Sequence, residues 1–440
     1  MRFISSYRKK FVIFLAVCFT VMSLSYIRTL SVVPAKIVLL EGEEFVCDFK
    51  SPFLVNISAD RQGVLKLNNG EINTSGNFLS LSSPISLKSQ RNGSVNLKIK
   101  IFGLLPLKTM RVDVVPNKRI VACGNTIGVK LKVNGVLVIG LSDVETEDGK
   151  SLLPARDGGL RPGDLIVEVD NQKLESIDDL VRMVEKSNGK QLKLKYKRGG
   201  SLIEASVYPV KAMDDKKYHL GVWVRDSTAG IGTLTFYDPE NKRFGALGHG
   251  ITDIDTGALM PIESGEILES NILAIKKGRQ GSPGELKGVF VEDRNKLGII
   301  NRNSDFGIYG KLNEDSLSRI PNKTYPIALH NQVKEGPATI LANIDGKTVE
   351  EYSVEIQKVS KQNINSSKGM IIRITDPRLL DTTGGIVQGM SGSPIIQNDR
   401  VVGAVTHVLV NDPTRGYGIF IEWMVQNTME ENQNRLEKVS

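Results

Sequence analysis

The sequence predicts a mainly β, multi-domain chain behind one N-terminal apolar helix. Three observations carry this. A length of 440 residues exceeds one ordinary core. From residue 35 onward, short apolar runs alternate with turn-forming residues, and amphipathic helix patterns are few. Ahead of them stands one long apolar run with a basic flank. Hydrophobic residues make up 40% and charged residues 24%, which argues against disorder and against a polytopic membrane protein. The net charge of +8 comes without a Lys/Arg block interleaved with aromatics, so no nucleic-acid partner is expected. Three cysteines, none in a CxxC pair, exclude a disulfide scaffold. Neither a metal site nor a cofactor is expected.

Residues 1–34 read as a cytosolic basic flank and a membrane anchor or signal. Arg2, Arg8, Lys9 and Lys10 precede Phe11 to Met22, and the apolar character continues to Leu30. That is about the length that spans a bilayer as a helix. The basic flank sets the N-terminus in the cytosol. No clear A-x-A cleavage site follows, so an uncleaved anchor is favoured over a cleaved signal.

Residues 35–116 read as a β-rich segment. Ile37 to Leu40, Val64 to Leu67 and Val95 to Ile101 fit strands, with turn residues such as Asn68-Asn69-Gly70 between them. No residue here carries chemistry, which suits a spacer or an interaction module.

Residues 117–212 form a further unit. Gly128 to Leu131 and Val136 to Ile139 fit strands. Gly159-Leu160-Arg161-Pro162-Gly163-Asp164 then precedes the apolar strand Leu165 to Val169. Ser176 with Asp179 three residues on is a capping pair, and it opens a short helix through Ile177, Leu180, Val181 and Val184. This order resembles a PDZ domain of the bacterial protease-associated kind. The resemblance implies that Ile127, Gly128 and Val129 bind a peptide C-terminus, the peptide adding as a strand.

Residues 218–430 are glycine-rich and strand-rich, as in a barrel or sandwich. From Trp423 the chain reads as a terminal helix that frays into a charged tail, 431–440. A serine hydrolase needs a histidine to take the hydroxyl proton, because a free serine is a weak nucleophile. Only four histidines exist: His219, His249, His330 and His407.

Ser391 is the candidate nucleophile. Gly389-Met390-Ser391-Gly392-Ser393-Pro394 resembles the G-D-S-G-G-P signature of trypsin-like peptidases, with Met390 and Ser393 as departures. Glycines at the turn let the amides of Gly389 and Ser391 converge as an oxyanion hole. The apolar strand Val401 to Thr406 and the run Gly416 to Ile421 repeat the trypsin-like rhythm downstream. Ser393 is the competing hydroxyl. His249, crowded by Gly248 and Gly250, precedes Ser391 as the trypsin-like base does. His407 suits the wall of a substrate cleft. The resemblance implies a trypsin-like double β-barrel peptidase domain. For the orienting acid, Asp253, Asp305 and Asp376 all stand in reach of the argument, and spacing favours Asp305.

A closer resemblance covers the whole chain. Gly248-His249-Gly250-Ile251-Thr252-Asp253, Ile374-Thr375-Asp376-Pro377, Gly384 to Pro394 and Asn411-Asp412-Pro413-Thr414 resemble the SpoIVB peptidase family of spore-forming bacteria. It implies a catalytic set of His249, Asp376 and Ser391, with Asp305 the alternative acid. It also implies a sporulation-signalling serine endopeptidase without cofactor, lodged between the forespore and mother-cell membranes. Such an enzyme would cleave itself and a membrane-bound, SpoIVFA-like regulator of an intramembrane metalloprotease, triggering sigma-K activation. The rival reading is an inactive PDZ scaffold that binds a membrane partner. Intact His249 and Ser391 argue against it.

Overall fold

The computed structural model describes residues 2–290, 296–360 and 366–436. The chain divides into two compact units, Met1–Lys118 and Arg119–Ser440.

The first unit opens with the helix Arg2–Val32. Its stretch Lys10–Val32 is long and apolar enough to cross a membrane, and near its end Thr29 is buried against Ser51. Strands then form a five-stranded and a four-stranded sheet. Period-two alternation turns Val95, Leu97, Ile99 and Ile101 inward from the strand Gly93–Ile101. They meet Leu65, Leu67, Ile85 and Leu87 of the other sheet in one core. The expected β-rich segment is thus a small two-sheet domain.

The second unit contains two barrels. The distal one is closed from Gly336–Ala342, Glu350–Val359, Met370–Ile374, Asp412–Phe420, Arg400–Leu409 and Pro394–Gln397. The proximal ring runs through Ser264–Lys276, Lys296–Ser304, Gly307–Leu312, Arg243–Ala246 and the far half of Val222–Asp238. One strand is still needed to close it, and it comes from far upstream. Thr126–Leu141 pairs through Ile127–Lys132 with Ser264–Glu269 on one edge and with Ser227–Gly232 on the other. Ile127, Val129 and Leu131 point into the barrel core with Leu234, Ile267 and Ile300.

This corrects the expected boundary between residues 117–212 and 218–430. The same strand, beyond a bend at Gly135 (φ +127°), passes into the PDZ domain, where Val136 and Leu137 pair with Ile166 and Leu165. A side chain at Gly135 would collide with the Ile166 carbonyl, 2.2 Å from an ideal Cβ. The chain returns to the barrel through Val222–Asp238, whose first residues pair with Leu137–Leu141. The PDZ domain is therefore an insertion between two neighbouring barrel strands, with its own core around Val138, Ile166, Leu180 and Leu194.

The C-terminal helix spans Ile421–Leu436 and buries Trp423, Met424 and Val425. Of the expected tail, residues 437–440 lie outside the described residues.

Candidate active site

The two barrels meet at a cleft of about 780 Å³ that holds His249, Asp305, Ser391 and His407. Ser391 sits on the loop entering the distal barrel at Pro394–Gln397. Gly392 has φ +100°, and a Cβ there would lie 2.2 Å from the Thr233 carbonyl oxygen, so only glycine passes. Thr233 holds the loop from the proximal barrel. Its hydroxyl donates to the Gly389 carbonyl at 2.7 Å, and its amide donates to the Ser391 carbonyl at 2.9 Å. With both carbonyls so drawn, the amides of Gly389 and Ser391 make no hydrogen bond among the described residues. The Ser391 hydroxyl donates to the Thr406 carbonyl at 2.6 Å. Ser393 is fully buried and its hydroxyl has no partner among the described residues, so it does not compete as a nucleophile.

His249 follows the strand Arg243–Ala246. Its Nδ1 donates to the Gly250 carbonyl at 2.9 Å, which leaves Nε2 as the proton acceptor. Burial holds its imidazole below the ordinary histidine range, and the Gly250 bond opposes that only in part. The His407 ring lies 4.6 Å from it, centroid to centroid. Desolvation first, then His249 and Lys368, push His407 down to about 4. Two neutral imidazoles therefore line the cleft at neutral pH.

Neither expected acid bonds to His249. Asp305 is exposed at the cleft. Asp376 lies outside the cleft lining and is already engaged. One oxygen accepts from the Arg378 amide at 3.0 Å, the other from the Ser353 amide at 3.2 Å, and the Arg378 guanidinium spans both. It caps the helix Pro377–Thr383, and the Arg378 bonds, against a smaller desolvation, draw its carboxyl down to about 2. An Asp-Pro pair opening a short helix is a capping signal legible in the sequence. Asp253 is wholly buried under Arg225, whose guanidinium also reaches Asp255 at 2.9 Å. Asp253 also accepts from Thr256 and so pins the turn that follows His249. His219 pairs with Asp215, and His330 with Glu422, both away from the cleft.

Residues 216–425 match the family model described as SpoIVB peptidase S55, and residues 154–198 match a PDZ domain model. Residues 216–425 belong to the SpoIVB peptidase S55 family. The chain is thus a serine peptidase with a PDZ domain, a peptide-binding module. The chain is also similar to solved structures. One is the PDZ domain of an SdrC-like protein from Listeria monocytogenes, 23% identical over 21% of this chain and 90% of that one, at TM-score 0.17. Another is the PDZ domain of an SdrC-like protein from Listeria innocua, 26% identical over 20% and 93%, at TM-score 0.16. A third is the Rv3671c protease of M. tuberculosis in its active form, 14% identical over 46% and 72%, at TM-score 0.26.

The candidate PDZ groove lies away from the expected residues. Ile127, Gly128 and Val129 are paired on both edges inside the barrel, so no strand can add there. A groove of about 650 Å³ instead runs between the helix Ile177–Lys186, through Leu180, Val181 and Val184, and the segment Leu220 to Val224. Gly221 (φ +69°) turns the chain at its end, where a Cβ would meet the Ser142 carbonyl at 2.3 Å. The sequence signal for this groove is the apolar-Gly-apolar run Leu220-Gly221-Val222 after the PDZ core rather than before it.

Proposed function

We propose that Ser391 is the nucleophile and His249 the general base of this serine endopeptidase. The observation that carries this is their joint lining of one cleft, with two unpaired amides flanking the serine. The Ser391 hydroxyl turns from the Thr406 carbonyl to His249 Nε2, which takes its proton as Oγ attacks the scissile carbonyl. The amides of Gly389 and Ser391 stabilise the oxyanion. His249 then protonates the leaving amine, and a water cleaves the acyl-enzyme. The Gly250 carbonyl fixes the imidazole tautomer. Asp305 supplies the negative charge at the cleft, and Asp376 supports the loop into Ser391 by capping its preceding helix. A fluorophosphonate probe tests the reading. It labels the wild-type chain, and Ser391→Ala and His249→Ala abolish labelling; labelling that persists in Ser391→Ala overturns it.

The finer biology follows the family resemblance. The apolar helix anchors the chain in a membrane, with the two folded units in the space between forespore and mother cell. The substrates are the chain itself and a membrane-bound, SpoIVFA-like regulator, whose cleavage leads to sigma-K activation. The PDZ groove takes an apolar peptide C-terminus as a strand along Val222 to Val224, one edge of which is occupied by Leu137–Leu141. Incubating the wild-type and Ser391→Ala chains side by side separates self-cleavage from contaminating proteolysis.

A further inference from the structure

Beyond its N-terminal helix, the first unit exposes clustered apolar side chains at the tip of one hairpin, where a water-soluble domain would bury them. The turn joining Gly93–Ile101 to Leu105–Val115 carries Phe102, Leu104 and Leu105, which are 49%, 83% and 60% exposed. Phe78, 60% exposed, lies against this turn, 3.0 Å from an ideal Cβ on Gly103. Contiguous exposed apolar surface of this kind marks an interaction site.

Its position identifies the partner. The strand after the turn runs along the end of the N-terminal helix. Lys108 Nζ donates to the carbonyls of Leu30 and Val33, at 3.2 and 2.6 Å. Two residues nearer the tip, the Pro106 carbonyl accepts from the Tyr26 hydroxyl at 3.3 Å. Moving two residues along the strand, about 7 Å, shifts the contact four or more residues toward the helix N-terminus, about 6 Å or more. The hairpin therefore points down the helix, and its tip lies at or beyond the level of Tyr26. Tyr26 itself falls inside the apolar stretch Lys10–Val32, about 9 Å short of its end. Tyrosine at that depth marks the membrane–water interface.

We propose that the hairpin tip Phe102–Leu105, with Phe78, inserts into the interface of the lipid bilayer that the N-terminal helix spans. The proposal rests on reading that helix as a membrane span. Helix and hairpin then grip the bilayer at two points and fix the tilt of the first unit over it. Inserted apolar side chains at headgroup depth supply the attraction.

The full chain in phosphatidylcholine–phosphatidylglycerol vesicles tests this with an environment-sensitive fluorophore on cysteine. Cys47 and Cys123 are buried, so native Cys18 in the helix takes the label in one preparation. In a second, Cys18→Ser with Leu104→Cys takes it at the tip, where high exposure makes the substitution harmless to the fold. The expected result is blue-shifted emission from position 104, quenched by shallow doxyl lipids and untouched by aqueous iodide. A label at 104 quenched by iodide alone, with Cys18 still quenched by doxyl lipid, overturns the proposal and leaves the span intact. Such a patch would then serve a protein partner. Iodide quenching at both positions removes the span and the proposal together.

Discussion

At the residue scale, the cleft residues Ser391 and His249 could be singled out in the sequence because the chemistry proposed for them demands local signatures. A turn that aims two amides needs glycines next to the nucleophile, and four histidines left little choice of base. The acid was not legible, because a carboxylate reaches its partner through space and spacing along the chain does not encode that. The two candidates separate by experiment. Asp305→Asn should lower kcat with little change in thermal stability, since the side chain is exposed and makes no hydrogen bond among the described residues. Asp376→Ala should lower stability by about 1 kcal/mol through the lost cap, with activity falling alongside it. Unchanged stability in Asp376→Ala would return that residue to the catalytic set. The pH profile follows from His249. Burial depresses its pKa below about 6.5, and only the neutral imidazole accepts a proton. Activity is thus retained as pH falls past the ordinary histidine range, and is lost as pH falls through the lowered value. An acid limb of kcat/KM at or above pH ~6.5 contradicts this.

At the scale of elements, the strand Val222–Asp238 does several jobs in succession. Val222 to Val224 line the PDZ groove, and Asp226 accepts from the amide of Ile177 at the start of the groove helix. Arg225 covers Asp253 in the turn that follows His249, Thr228 to Ile231 line the cleft, and Thr233 anchors the Ser391 loop. Adjacent residues serve opposite sides because side chains alternate across a strand. Removing Arg225 leaves the buried Asp253 carboxylate without its cation. Arg225→Met should therefore cost about 3 kcal/mol of stability and reduce kcat more than it changes KM, with partial rescue by Arg225→Lys. Equal effects on kcat and KM in a protein of unchanged melting temperature would refute the link. Sequence reading found the strand Gly128 to Leu131 but assigned it to the PDZ domain. An alternating apolar run fits either core equally well, and that one continuous strand of 16 residues serves both is visible only in the structure.

At the scale of the molecule, the domain order read from the sequence was anchor, β-rich segment, PDZ domain, peptidase. Mutual order survives only in part, because the proximal barrel begins before the PDZ domain and ends after it. A chain beginning at Arg119 keeps every barrel strand and should be monomeric and labelled by a fluorophosphonate. A chain beginning at residue 218 lacks Ile127, Val129 and Leu131, leaves an open apolar edge, and should aggregate in size-exclusion chromatography. A soluble, reactive 218–440 chain would show that the upstream strand is dispensable.

The inserted PDZ domain also governs what a backbone nick does. A cut before Arg119 falls between two units that each keep their own core. A cut in the PDZ loops separates nothing, because the upstream piece stays hydrogen-bonded into the barrel along both of its edges. Processing there would yield two bands in denaturant and one particle in native buffer, a heterodimer made from a single gene product. The position of a cut, more than its occurrence, decides whether the peptidase loses its covalent tie to the N-terminal helix or persists as a split enzyme.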